Sequence, residues 1–307
     1  MKNTPLQCVT VLGKGGVGRT TVAIGVARAL AARGNRVLLL ELSGAQDVSR
    51  ALGNPEAPYE PQCLEDGLDH ACYRASTCLA DFGATKLGIP SLLTQLFNAR
   101  PVRSFLEAIP GLNELLQLGK MVHELGVGTK EVARYDTCVI DAPATGHGLT
   151  LLQAASTMRQ LTRVGPFTEL ARPIEQLLQS PQALTIAVTT PEPLPIEESE
   201  RLIAALDAMG QSPGAVVLNR VPTPLPPTAP TWERMATLEP MSTDAGWTHV
   251  GGHLWQTASR CHEARTLFAA SGRPVVSVNE SERPLTTLDA YGCVRDALDA
   301  LVGGSDD

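Results

Sequence analysis

The clearest chemistry in this chain sits in the run Gly13-Lys14-Gly15-Gly16-Val17-Gly18-Arg19-Thr20-Thr21, between an apolar stretch and a helical pattern. Glycines at this density let successive backbone N–H groups wrap an anion, and the start of the following helix adds its dipole. The expected guest is a phosphate chain. Thr20 then offers a hydroxyl to a Mg2+ carried by β and γ phosphates, as a phosphate-loop Ser or Thr does. A second candidate, Asp141, ends the apolar part of Cys138-Val139-Ile140-Asp141-Ala142-Pro143-Ala144-Thr145-Gly146-His147. A carboxylate at a strand C-terminus can hold Mg2+ through water, and the Pro-Gly stretch after it can shift when a γ-phosphate comes or goes. Taken singly, His147 reads as a polar residue at a helix start. Asn219, which closes the apolar run Val216-Val217-Leu218-Asn219, has an amide that can both donate and accept.

Strands and helices must alternate to bring these residues together. Strand-like runs cover Cys8 to Leu12, Arg36 to Leu42, Tyr135 to Asp141, Ala183 to Thr189, Ala215 to Asn219 and Pro274 to Val278. Helical patterns lie at Thr20 to Ala32, His147 to Gln160, Pro195 to Met209, Ala258 to Ala270 and Pro284 to Leu301. This alternation predicts an α/β fold with a mostly parallel sheet and crossover helices. Residues 1–307 read as one such unit with two interruptions. Between 54 and 128 the spacing is too long for one crossover, and leucines at helical spacing predict a helical insertion. Residues 221–252 open with Pro222, Pro224, Pro226, Pro227 and Pro230, which predict a loop excursion.

Composition narrows the classes. With 43% hydrophobic and 19% charged residues the chain has the material for a large core. A net charge of -7 lacks the positive footprint that a nucleic-acid partner requires. Neither a signal peptide nor an apolar run long enough to span a bilayer is evident. The seven cysteines are scattered without a CxxC pair, which with those absences predicts a reduced, cytoplasmic chain. Cys63, His70, Cys72 and Cys78 form a looser cluster whose spacing matches no compact zinc template, so buried thiols are expected there.

Lys14 to Thr20 resemble the deviant Walker A loop shared by ParA and MinD ATPases, nitrogenase iron protein and the arsenite-pump ATPases. Asp141 to His147 are similar to the strand end and switch II of the ArsA branch, which includes the guided-entry ATPases for tail-anchored membrane proteins. The resemblance implies a three-layer, SIMIBI-type P-loop NTPase that uses ATP and Mg2+. It also implies that Lys14 reaches a partner subunit's nucleotide, that His147 is a switch residue, that Asn219 contacts adenine, and that the insertion forms a hydrophobic client groove. Candidate groove residues are Leu92, Leu93, Leu96, Phe97, Phe105, Leu106, Ile109, Leu112, Leu115, Leu116, Leu118, Met121, Val122 and Leu125.

Three departures qualify this. Arg19 stands where the loop lysine is usual, and its planar fork is bulkier than an ammonium. Ser43 and Gly44 stand where the arsenite-pump branch has Asp and Pro, so the usual water-polarising carboxylate is missing, with Glu41 and Asp47 as nearby substitutes. The guided-entry CxxC is absent, with Cys261-His262 near its place. The expectation is a dimeric, ATP-dependent switch with weak hydrolysis, coupled to a hydrophobic protein client or a membrane protein. The alternatives are a degenerate subunit of a heterodimer with an active paralogous ATPase, or a positioning ATPase of ParA or MinD type.

Overall fold

A computed structural model describes residues 5–42, 46–53, 56–86, 108–128, 132–222, 245–281, 285, 287 and 291–302. Its strands are β1 (Cys8–Gly13), β2 (Val37–Glu41), β3 (Gln62–Glu65), β4 (Leu68–Cys72), β5 (Thr137–Asp141), β6 (Ala183–Thr189), β7 (Ala215–Val221) and β8 (Val275–Asn279). They form one sheet in the order β3-β4-β2-β5-β1-β6-β7-β8, parallel except for the β3–β4 pair. The strands next to the centre are continuous apolar runs because helices cover both faces. Side chains alternate accordingly: Leu38, Leu40, Cys138 and Ile140 enter one core, and Val37, Leu39 and Val139 enter the other.

Helix α1 (Arg19–Ala32) packs on the second face and is buried along Val22 to Leu30. Its Gly25 lets the C-terminal helix approach closely, since a Cβ there would come 2.6 Å from Val294. The other helices are α2 (Asp47–Ala51), α3 (Ala75–Lys86), α4 (Leu112–Glu124), α5 (Thr145–Leu161), α6 (Pro166–Leu178), α7 (Pro193–Ala208), α8 (Ala245–Ala269) and α9 (Gly292–Val302). Helix α9 joins α1, while α4, α5, α6 and α7 fill the opposite core and α8 packs on β7 beside α7. The result is the three-layer α/β architecture of a P-loop NTPase.

The structure corrects several sequence expectations. The 54–128 stretch is not wholly helical, because β3 and β4 lie inside it and extend the sheet. Asp66-Gly67 makes their two-residue turn, with Gly67 at φ 76°. The hairpin is tied to α1 where Arg28 Nε and Nη2 donate to Glu65 Oε1 and Oε2 at 2.8 and 3.0 Å. Helix α6 falls in a region that the strand and helix patterns left blank; Pro166 opens it and Pro173 lies within it. Helix α8 begins at Ala245, inside the expected loop excursion, and Val221 belongs to β7; residues 223–244 of that excursion lie outside the described residues. Helix α9 is shorter than its pattern and begins at Gly292.

The expected client groove is corrected in part. Leu112, Leu115, Leu116, Leu118, Met121, Val122 and Leu125 are all buried in the core beneath α4. Helix α4 packs against α3, α5 and α6, and its buried Gln117 donates from Nε2 to the carbonyls of Leu42 and Tyr73, beyond the ends of β2 and β4, at 3.3 and 2.7 Å. Ile109 is partly buried against this core. Leu92, Leu93, Leu96, Phe97, Phe105 and Leu106 lie outside the described residues.

Candidate functional site

The glycine-rich run leaves the C-terminal end of β1, in the middle of the sheet, and turns directly into α1. Gly13 must be glycine because β6 runs alongside: a Cβ would come 2.6 Å from the Val188 carbonyl oxygen. Gly16 and Gly18 have φ of 88° and 89°, a left-handed backbone that side chains disfavour. Gly15 and Gly16 are exposed, and a Cβ on either would meet nothing, so the rim of the loop faces open space. Val17 points the other way, 2% exposed, and anchors the loop in the apolar core. Thr21, next to Thr20 in the first turn of α1, is half-buried.

Asn219, at 4% exposure, holds the loop from below. Its Nδ2 donates to the Val17 carbonyl at 2.8 Å, and a side chain at Gly18 would strike the same amide. This support of the loop is a role additional to the expected purine contact.

The order of strands puts Asp141, at the end of β5, beside the start of α1. Thr20 Oγ1 donates to Asp141 Oδ2 at 2.7 Å, while Oδ1 is buried without a hydrogen-bond partner. Burial raises the Asp141 pKa from 3.8 to about 7, against the lowering pull of the Thr20 hydrogen bond and the Arg19 charge; Glu41 and Asp47 add to the rise. A hydroxyl and an unsatisfied carboxylate oxygen are hard donors that suit Mg2+. The residues present therefore fit the magnesium-phosphate group that the sequence predicts, with Thr20 and Asp141 to hold the ion and the loop N–H groups to hold phosphate.

Both cations of the loop are engaged. Lys14 Nζ is paired with Glu198 Oε1 on α7, with side-chain exposures of 43% and 20%. Such a partly exposed pair contributes little stability, so Lys14 is readily drawn to another anion. Arg19 Nη1 donates to the carbonyl of Ala142, the residue after Asp141. His147 is exposed in the first turn of α5, where its N–H donates to the Ala144 carbonyl at 2.9 Å.

Nothing in the sequence singles out Glu198 from Glu197 and Glu200; their spacing predicts a helix-dipole role, but α7 begins at Pro193 and has no acidic residue in its first turn. Glu41 is fully buried at the end of β2, in register with Asp141, and its Oε1 accepts the Asp47 N–H at 2.5 Å. It thus steadies the first turn of α2, while Ser43 and Gly44 lie outside the described residues. His70 is buried with Nε2 at 3.7 Å from Glu41 Oε2. In the cysteine cluster, Cys72 and Cys78 are buried and Cys63 is exposed. A cavity of about 820 Å³ beside the hairpin is lined by Tyr59, Gln62, Cys63 and His70 among others, away from the phosphate loop.

The model of the anion-transporting ATPase family matches residues 6–177, which include both the glycine loop and the Asp141 to His147 segment. The chain belongs to that family. Among its relatives, the ATPase BagA of Mycobacterium tuberculosis is 30% identical over 226 residues, covering 71% of this chain and 66% of the relative. The ATPase ASNA1 homolog of Plasmodium vivax is 26% identical over 258 residues, covering 73% of this chain and 66% of that protein. The match thus falls just short of two thirds of each relative's length. Glu198 and Asn219, the two side chains that hold the loop from α7 and β7, lie beyond the part that the family model covers. No helix among the described residues is long and apolar enough to cross a membrane.

Proposed function

We propose that this chain is an ATP- and Mg2+-binding ATPase of the anion-transporting ATPase family that acts as a slow, dimeric nucleotide switch in the cytoplasm. Its partner is a second ATPase subunit, identical or paralogous, and its output is a hydrophobic protein client or a membrane protein. The observation that carries this reading is Asp141, buried at the mouth of the loop with Oδ2 on Thr20 and Oδ1 unsatisfied. A buried carboxylate costs free energy unless something compensates it, and a divalent cation is the partner that fits.

The residues divide the work. Backbone N–H groups of residues 15–20 receive phosphate oxygens, with Lys14 and Arg19 supplying charge. Thr20 and Asp141 hold Mg2+, which when bound neutralises charge developing on the phosphates. Asn219 keeps the loop in shape and offers a candidate purine contact. His147, exposed on the first turn of α5, is a switch residue that reports the position of residues 142–147 rather than a proton-transfer group. Glu41 orders the start of α2 through Asp47, and these two are the candidate carboxylates for the role left by Ser43. Slow turnover follows from Ser43 and from Arg19.

The test is equilibrium titration with a fluorescent ATP analogue with and without Mg2+, together with molecular mass in ADP and in a non-hydrolysed ATP analogue. Magnesium-dependent binding with a larger mass in the ATP state is the expected result. A monomer without nucleotide affinity defeats the reading, and turnover well above ~1 per second defeats the slow-hydrolysis part. The engagement of Arg19 with the Ala142 carbonyl favours one second reading, a degenerate subunit whose active partner supplies turnover. That reading requires hydrolysis to appear only on mixing with the paralogue.

A further inference from the structure

The first two residues of α1 grip the last residue of β5 and the one after it. Thr20 holds Asp141, and Arg19 holds the backbone carbonyl of Ala142. The Ala142 peptide is fixed on its other side too, where its N–H donates to the Val11 carbonyl at 3.3 Å. Ala142 itself is 1% exposed, yet Ala144, Gly146 and His147 just beyond it are exposed. The far end is anchored again at Gly148, where a Cβ would come 2.7 Å from Leu12 and 3.2 Å from the Pro143 carbonyl oxygen. Residues 142–148, a short arch that runs into the first turn of α5, thus stand between two buried feet, Ala142 and Gly148, and one foot is held by a side chain of the phosphate loop.

That side chain is an arginine. A lysine ammonium presents its donors from a single nitrogen, so a carbonyl and a phosphate must both crowd onto one atom. A guanidinium spreads five donors over three nitrogens in a plane, so Nη1 can keep the carbonyl while another edge faces an anion. The stem is fixed by packing over Gly13, where an added Cβ would lie 3.2 Å from Arg19 Cγ.

We propose that Arg19 is a positioning residue that bridges the phosphate and the Ala142 carbonyl, so that phosphate occupancy is transmitted directly to residues 142–148. This rests on the nucleotide reading above and adds the route by which the site speaks to the arch. In a lysine-bearing loop the phosphate and the carbonyl compete for one ammonium; here one guanidinium serves both.

Hydrogen exchange of the peptide spanning 142–150, read by mass spectrometry, tests this in wild type, Arg19→Lys and Arg19→Met. Without nucleotide, Arg19→Met is expected to exchange about tenfold faster in this peptide than wild type, the loss of one charge-assisted hydrogen bond, while Arg19→Lys, whose ammonium then has only the carbonyl to serve, stays close to wild type. Equal exchange in Arg19→Met and wild type overturns the proposal. With Mg2+ and a non-hydrolysed ATP analogue, wild type is expected to slow further. Arg19→Lys is expected to bind the analogue within about fivefold of wild type, because the charge is kept, while losing most of that slowing. If Arg19→Lys binds and slows as wild type does, or loses binding and nothing else, Arg19 is an ordinary phosphate ligand and the proposal fails. If wild type does not bind the analogue, the nucleotide reading itself fails and takes the phosphate half of this proposal with it. Cooperative thermal unfolding of each variant shows that it is folded.

Discussion

Residues 13–18 and residues 143–147 both follow the C-terminal end of a central parallel strand, β1 in one case and β5 in the other, and both lead into a helix. The first stretch is anchored in the protein at both ends, with Gly15 and Gly16 exposed at its rim. Val17 is buried, Asn219 holds the Val17 carbonyl, and Gly13 lies against the Val188 carbonyl. The second stretch stands outside, and the hydrogen bonds from the His147 and Gly148 N–H groups return to Ala144 within the same turn. The difference separates recognition from response. An anion cradle must be preorganised so that binding does not have to order it, whereas a segment that reports on the anion needs few contacts to break.

The largest expected break in this comparison is Gly18→Ala set against Gly146→Ala. At Gly18 a side chain meets both a φ of 89° and the Asn219 amide, so a loss of about 3–5 kcal/mol is expected, with nucleotide binding abolished. At Gly146 a Cβ meets nothing, and the helical position predicts a change within about 1 kcal/mol. Urea denaturation of the pair decides; similar losses mean that the two stretches are equally built in.

Asp141 is the next in size. Its folded pKa of about 7 lies above the 3.8 of the free side chain, so the folded state binds the extra proton between those values. Stability of the metal-free protein is therefore greatest below about pH 4 with respect to this group and falls as pH rises toward 7, by about 2–4 kcal/mol. Asp141→Asn flattens that slope and removes magnesium-dependent nucleotide binding. Melting temperature against pH, with and without Mg2+, is the measurement; an unchanged slope in the variant contradicts the assignment.

Asn219→Ala is expected to cost about 1–3 kcal/mol, since it leaves the Val17 carbonyl without its partner. Nucleotide affinity should fall with it, and a variant that loses stability but keeps affinity separates loop support from ligand binding. His147→Ala has the smallest effect. The side chain is exposed, so stability should stay within about 0.5 kcal/mol and nucleotide affinity should hold, with any change confined to turnover or dimerisation.

Much of this was legible in the chain itself. The glycine run, Thr20 and Asp141 belong to short local patterns whose periodicity changes from strand to helix at the residues in question. The hairpin was missed although Asp66-Gly67 is a turn signal, because Gln62 to Glu65 is polar and partly exposed and does not alternate as a half-buried strand should. The leucines of α4 are helical as their spacing predicts, but periodicity cannot say whether an apolar stripe faces the protein's own core or a client. Burial of Leu112, Leu115, Leu116, Leu118, Met121, Val122 and Leu125 in the core decides it for this helix.

From sequence alone came the alternating α/β plan, the phosphate loop, the Thr20 hydroxyl and the Asp141 carboxylate, since each depends on residue type and on neighbours a few positions away. Tertiary structure decided the partners. Glu198 reaches Lys14 across 184 positions, Asn219 reaches Val17 across 202, and Arg19 reaches Ala142 across 123. Such pairings depend on strand order, because β5 and β6 flank β1 and β7 lies beyond β6, bringing the ends of distant segments to one edge of the sheet. Local spacing carries no information about that order, which is selected by the burial of all the layers together.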